Sequence, residues 1–388
     1  MKLGQHFGML TISEKHARLM LCVDADEPSK AMIHWWTDDF RRAALADCTY
    51  SVQGLKLTLT NLYEASPQNG EIIYSKLTEA QAELIRSGYT VELKKKGNFL
   101  HGSWISPEGA LVIAKVRINP QKTKALNATR CKTWSDFKLW SDRITTEGNA
   151  VSFRGHGNNS FELSTTLHRI GRNRLERYCW NELHTFRFFS EGVLNQTIDM
   201  RNGDDYGMLL GLAQHHGLPT PLLDWTRSPY IAAFFAFTDA VEMKIYRPTA
   251  THVRVYALTH EFLNFFSPRI VTLPIISSYV AALSVSPRLN PRILAQQGQF
   301  LVTNVANLQA FIHEIEDVAG KTFMYAADVP ISCANAALRD LELMGLTAAT
   351  LFPGLDGISR MIKYSMISKS RELPPAALPE LSSPPVEH

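Results

Sequence analysis

A chain of 388 residues spans two or three domains at about 100–200 residues each. Its apolar share of 45% and charged share of 20% are those of a folded globular protein and exclude a disordered one. The 40 basic and 37 acidic side chains leave a net charge of +3, too little to drive nucleic-acid binding by overall charge, although a local basic face stays open.

Five cysteines (Cys22, Cys48, Cys131, Cys179, Cys333) are scattered, odd in number and free of any CxxC spacing. They argue against a disulfide framework and a zinc ribbon, and suit a reducing cytosol. No stretch approaches the ~18 consecutive apolar residues of a spanning helix. His6, Glu14, Lys15 and His16 stand where a secretory leader would be apolar. A soluble, cytoplasmic protein with no membrane partner is expected.

In residues 1–120, Leu55, Leu57 and Leu59 alternate with Lys56, Thr58 and Thr60, the pattern of a strand with one dry face. Residues 78–87 predict a short helix, apolar at Ala80, Ala82, Leu84 and Ile85. Further strands are expected at 89–93, at 99–105 after the tight turn Lys96-Gly97-Asn98, and at 110–118 after Ser106-Pro107-Glu108-Gly109. The region reads as a small, mostly antiparallel β domain for sensing or specificity, without a catalytic constellation. A polar linker follows, reaching Arg130 and assigned to residues 121–132. Thr133 then caps a predicted helix at 134–143, opening a mixed α+β domain over 133–370. Residues 371–388 hold five prolines and no aromatic, and predict a disordered tail.

Chemistry concentrates in the second domain. The apolar strand at 150–153 runs into Arg154-Gly155-His156-Gly157. A planar, permanently charged guanidinium there suits phosphate or carboxylate, and the glycines would let a ligand approach. The competing reading is an arginine closing a buried ion pair. Arg169, Arg172, Arg174 and Arg177 could form a phosphate-reading face, but Glu176, Glu182 and Glu191 interleave and favour a solvated, salt-bridged helix. The segment 212–229 reads as a helix ending at Gly217, a strand at Leu222-Leu223, a turn over residues 224–228, and an apolar helix capped by Ser228 before Pro229. Gln214, His215, His216, Asp224 and Thr226 flank this rigid unit. Adjacent histidines on a helix diverge by ~100°, so His215-His216 is a poor chelate and no metal is expected. Ser228 lacks a nucleophile elbow.

Four motifs together resemble the FRG domain, a bacterial family named for its Phe/Tyr-Arg-Gly opening. They are Phe153-Arg154-Gly155, the run from Gln214 to Thr220 with Leu222 to Thr226, Gln297-Gly298-Gln299-Phe300, and residues 351–357. The resemblance covers roughly residues 130–365. Pro221 and Gly354 depart from the usual arginine and aspartate. The order of elements is similar to that of ADP-ribosyltransferases, which implies that fold, NAD as substrate, and an ADP-ribosyltransferase or NAD glycohydrolase activity. In that layout Arg154, Thr226, Gln297 and Gln299 would be catalytic. Arg154, Gly155, His156, His215, His216, Asp224, Trp225, Thr226 and Ser228 would hold the dinucleotide. The late turn carries glutamine in place of a carboxylate, so turnover would be slow, or Glu162 or Asp224 would substitute. The resemblance also implies a toxin or phage-defence setting, a protein or nucleic-acid acceptor, and room for an antitoxin or regulator. A non-catalytic module sensing nucleotide or nucleic acid, using the arginines and Lys94-Lys95-Lys96, is the alternative.

Overall fold

The computed structural model describes residues 4–37, 41–73, 76–118, 126–246, 250–265, 273–283 and 285–369. The proposed tail at 371–388 and most of the linker core lie outside these residues.

Nine antiparallel strands build the first unit: β1 (Gln5–Ile12), β2 (Lys15–Val23), β3 (Lys30–Trp36), β4 (Arg41–Tyr50), β5 (Gly54–Ala65), β6 (Ile72–Ile73), β7 (Thr90–Lys96), β8 (Phe99–Ile105) and β9 (Leu111–Arg117). Their order is β4-β3-β2-β1-β9-β8-β7-β5-β6, and β4 also pairs with β5. All but β6 therefore close into a barrel, which leaves the ring without an exposed hydrogen-bonding edge. Strict alternation shows why: Val112, Ala114 and Val116 of β9 point inward beside Leu10, Leu19, Leu55 and Leu100, while the residues between them face out. The predicted helix forms over Glu79–Arg86, with Thr78 and Gln81 in a reciprocal capping box.

The second unit is a mixed sheet of β10 (Thr129–Arg130), β11 (Ala150–His156), β12 (Leu222–Thr226), β13 (His252–Thr259), β14 (Val280–Leu283), β15 (Gly298–Thr303) and β16 (Met324–Pro330). The order is β10-β16-β13-β11-β12-β15-β14, with only β10 and β16 parallel. The end of the proposed linker is thus part of the sheet, and Leu126 and Ala128 pack against its core. Helices cover both faces. Trp134–Thr146, capped by Thr133 as predicted, and the apolar helix Pro229–Tyr246 pack on one side. Leu308–Ala319 packs on the other, over Leu223, Trp225 and Tyr256.

The two units share a buried junction. Asp24 is completely buried: one carboxylate oxygen accepts the backbone N–H groups of Asn173 (2.6 Å) and Arg174 (2.9 Å), the other accepts from Arg177 (3.0 Å), and Arg172 lies at 3.3 Å. Arg174 also pairs with Glu27 and Glu176, and Arg177 with Asp26. The clustered arginines are therefore neither a phosphate-reading face nor a solvated helix face. Arg172 and Arg174 do pair with the nearby Glu182 and Glu176, but together with Arg177 they also pair with acids of the barrel roughly 150 positions away, whereas exposed Arg169 donates to the Ser164 carbonyl and the Thr166 hydroxyl. Gln5 adds a two-way bond, donating to the Asn304 carbonyl (2.7 Å) and accepting from Ala306 N–H (2.9 Å). Backbone bonds Ile72 to Pro274 and Ile276 to Gly70 complete the seam.

Removing Asp24 leaves Arg172 and Arg177 without their shared buried anion. Asp24→Ala should cost about 3 kcal/mol or more in urea denaturation, whereas exposed Asp47→Ala should cost under about 1 kcal/mol. Equal costs would contradict the network's role.

Candidate functional site

β11 and β12 share one paired position, Phe153 with Thr226. Beyond it the ladder stops, and a cleft of about 420 Å³ opens, walled by both strands, by β15 and by the helices Pro229–Tyr246 and Leu355–Lys369. That size is within the range of small-molecule sites.

Arg154 bridges the gap. Its Nη1 donates in a short bond to the Asp224 carbonyl of β12, and its Nε donates to His156 Nε2 at 3.2 Å. To accept that bond His156 must be neutral. Burial first, and then the Arg154 charge, push its pKa down to about 3. Burial also lowers the pKa of Arg154, against the pull of Asp224. Among the described residues no carboxylate lies within ion-pair distance of Arg154, so it is not closing a buried ion pair, and its Nη2 remains free to face a ligand.

The glycines beside it have another purpose than the one expected. A Cβ on Gly155 would sit 1.9 Å from the Ala232 carbonyl, and one on Gly157 would sit 2.6 Å from Asp239 Oδ2. They let the helix Pro229–Tyr246 lie against β11, not a ligand.

The strand β12 runs through Thr226, so residues 224–226 are strand and the turn is confined to Arg227 and Ser228. Asp224 faces the cleft, where its carboxylate accepts from Gln214 Nε2 at 3.0 Å; Gln214 in turn accepts a short bond from Thr220. Thr226 lines the cleft, but its hydroxyl is engaged, donating to the Gln296 carbonyl (2.8 Å) and accepting from Ser228 N–H (3.2 Å). Gln299, opposite Trp225 in the sheet, keeps a buried Oε1 without a partner, as Trp225 keeps its indole N–H.

Of the residues expected at the site, Arg154, Gly155, His215, Asp224, Trp225, Thr226 and Gln299 line the cleft. Four do not. His156 stands behind Arg154. His216 is exposed at the helix end. Ser228 caps the following helix through Ile231 N–H (3.3 Å). Gln297 is exposed in the left-handed region (φ 47°), where its carbonyl accepts from Arg227 N–H and shapes the turn into β15. Glu162 is exposed and also outside the cleft, which leaves Asp224 as the nearer carboxylate of the two.

The sequence reading missed the far wall. Phe352 lies under two guanidinium groups, Arg360 at 4.4 Å and Arg292 at 5.4 Å from its ring centre. Arg292 is neutralised by Asp356 (2.5 Å), and Glu242 by Lys363 (3.2 Å). Asp239 also faces in, its carboxyl raised in pKa by burial. Asp356, Arg360 and Tyr364 recur every fourth residue, a one-face helical signal that was available in the sequence. The cleft is thus bipolar: Arg154 and Arg360 on one hand, Asp224 and Asp239 on the other, none in an ion pair among the described residues. No three His, Cys, Asp or Glu of those residues converge on a metal position, and none of their helices is long and apolar enough to cross a membrane.

Residues 149–244 match the FRG domain, so the chain carries an FRG domain that contains β11, β12 and the helices between and after them. The far wall and the Gln299 strand lie beyond the matched residues. Neither curated proteins nor solved structures give a match.

Two outcomes follow from this geometry. Gly155→Ala should destabilise by about 1–3 kcal/mol through overpacking, read by urea denaturation; an unchanged midpoint would mean that the helix is not held this close. Buried His34, His156 and His168 have pKa values lowered to about 4, 3 and 4. The unfolded chain takes up protons near pH 6.5 that the folded chain refuses. Stability is full above that pH and falls as pH drops toward 4, by up to about 1.4 kcal/mol per unit for each histidine. The urea midpoint should fall between pH 6.5 and 5; a flat midpoint would contradict neutral burial.

Proposed function

We propose that the FRG cleft binds NAD and cleaves its nicotinamide–ribose bond, acting as an ADP-ribosyltransferase-like, NAD-consuming enzyme on a protein or nucleic-acid target. The observation that carries the reading is the bipolar cleft. NAD joins an anionic pyrophosphate to a cationic pyridinium, and unpaired guanidinium and carboxylate groups on one cleft complement both ends. Support also comes from the strand order. The first-strand arginine, the Asp-Trp-Thr strand and the late glutamine strand follow one another in the sheet as β11, β12 and β15, which brings Arg154, Asp224 and Gln299 to one cleft.

On this reading the free Nη2 of Arg154 grips pyrophosphate, aided by charge and planarity. The C1′–N bond breaks with its electron pair leaving on nicotinamide. The Asp224 carboxylate, held by Gln214, stabilises the positive ribose, and an acceptor hydroxyl or amine, or water, attacks C1′ and releases its proton. Gln299 supplies an amide acceptor for a ribose hydroxyl but no charge. That last feature favours a second reading, in which the cleft holds the nucleotide as a sensor without turnover.

Nicotinamide release from NAD and calorimetric binding of ADP-ribose separate the two. The enzyme reading predicts release by the wild-type protein, a loss of about 100-fold in kcat for Asp224→Asn with ADP-ribose binding kept, and binding at least tenfold weaker for Arg154→Gln. Binding without release would leave the sensor. Absence of both would remove the NAD reading altogether.

A further inference from the structure

The junction consumes Arg172, Arg174 and Arg177, yet the barrel carries a second basic group that no acid answers. Sheet register sets it out. Lys94 on β7 lies opposite His101 on β8, His101 opposite Lys115 on β9, Lys115 opposite Met9 on β1, and Met9 opposite Arg18 on β2. A parallel row joins Lys96, Phe99 and Arg117. All of these point away from the barrel core, since Leu93, Leu100, Val116, Leu10 and Leu19 between them point into it. Lys94, Lys96, Lys115, Arg117 and Arg18 are exposed, and none makes an ion pair among the described residues. The five strands contain one acid, Glu92, and it faces Lys56 of β5.

Rings are interleaved with these charges. The Lys115 ammonium sits 4.6 Å and the Arg117 guanidinium 5.6 Å from the Phe99 ring centre. His101 is edge-on to Phe99 at 6.1 Å, and Phe7, on the same face as Met9, is 40% exposed. With neighbouring strands about 4.8 Å apart, the row from Lys94 to Arg18 extends about 19 Å.

We propose that this outer face of the barrel, β7-β8-β9-β1-β2, binds single-stranded nucleic acid. Regularly spaced cations match a phosphate backbone, and the exposed Phe7 with the half-buried Phe99 and His101 among them match the faces of unpaired bases. An acidic peptide would use the charges and leave the rings idle. A duplex keeps its base faces stacked and out of reach. The inference stands apart from the chemistry of the cleft, because nothing in it involves NAD.

The test is fluorescence anisotropy of the full chain with a labelled 20-nucleotide oligo-U and oligo-dT, against a duplex of equal length and a poly-glutamate peptide. Single strands should bind best. Five phosphate contacts give a salt slope of about −3.5, so affinity should fall about 100-fold from 50 to 200 mM salt. Lys96→Glu with Lys115→Glu should weaken binding more than tenfold, Phe99→Ala about tenfold, and the milder Lys96→Gln should give a smaller loss in the same direction. Circular dichroism checks each variant's fold. No binding, binding indifferent to salt or to these substitutions, or preference for the duplex or the peptide would overturn the proposal. So would self-association through this face in sedimentation. Nicotinamide release is read separately, so failure here leaves the cleft reading standing, and failure there leaves this one.

Discussion

β11 and β12 touch at a single position and then part, and Arg154 crosses the opening. Two bonds to the protein, to a backbone carbonyl and to a neutral histidine, hold the guanidinium in place. One side of the group stabilises the split in the sheet and the other faces the cavity. The neutrality of His156 is a condition of this arrangement, because a protonated ring would repel the arginine and offer no acceptor. Gly155 sets the depth of the cleft by letting the helix Pro229–Tyr246 press on β11, so that Asp239 of that helix reaches the same hollow. The Phe-Arg-Gly motif thus combines a core residue, a strut that lines the cleft, and a contact point between helix and sheet.

The barrel is bound to the FRG domain by charges that lie on opposite sides of the junction. Asp24 is fully buried, accepts from two backbone amides and from Arg177, and has Arg172 as a second ion-pair partner, which offsets much of the cost of desolvating it. A seam of backbone bonds and the Gln5 bridge add directional contacts.

Local chemistry was legible in the sequence. The helix at Glu79–Arg86, the caps at Thr133 and Ser228, the strand Phe99–Ile105 and the gathering of Arg154, Asp224 and Thr226 were read from caps, turns and motifs within a few residues of each element. Long-range facts were not. In β2, Leu19, Leu21 and Val23 face the barrel interior while Met20 and Cys22 are covered by the second domain, so the period-two signal of a strand is erased. Pairing of β1 with β9, which sets Gly8 opposite Val116, has no local signature. Besides the nearby Glu176 and Glu182, the partners of Arg172, Arg174 and Arg177 lie in a turn roughly 150 positions earlier, which no window of sequence contains. Glycines beside an arginine suggested room for a ligand, and only the position of the helix reveals what they accommodate.

A crystal structure of the protein soaked with ADP-ribose tests the central claim most directly. The account predicts electron density in the cleft, with pyrophosphate oxygens within hydrogen-bond distance of the outer nitrogens of Arg154 and a ribose beside Asp224. Ligand bound elsewhere, or a cleft still empty at saturating ADP-ribose with Arg154 unmoved, would contradict it.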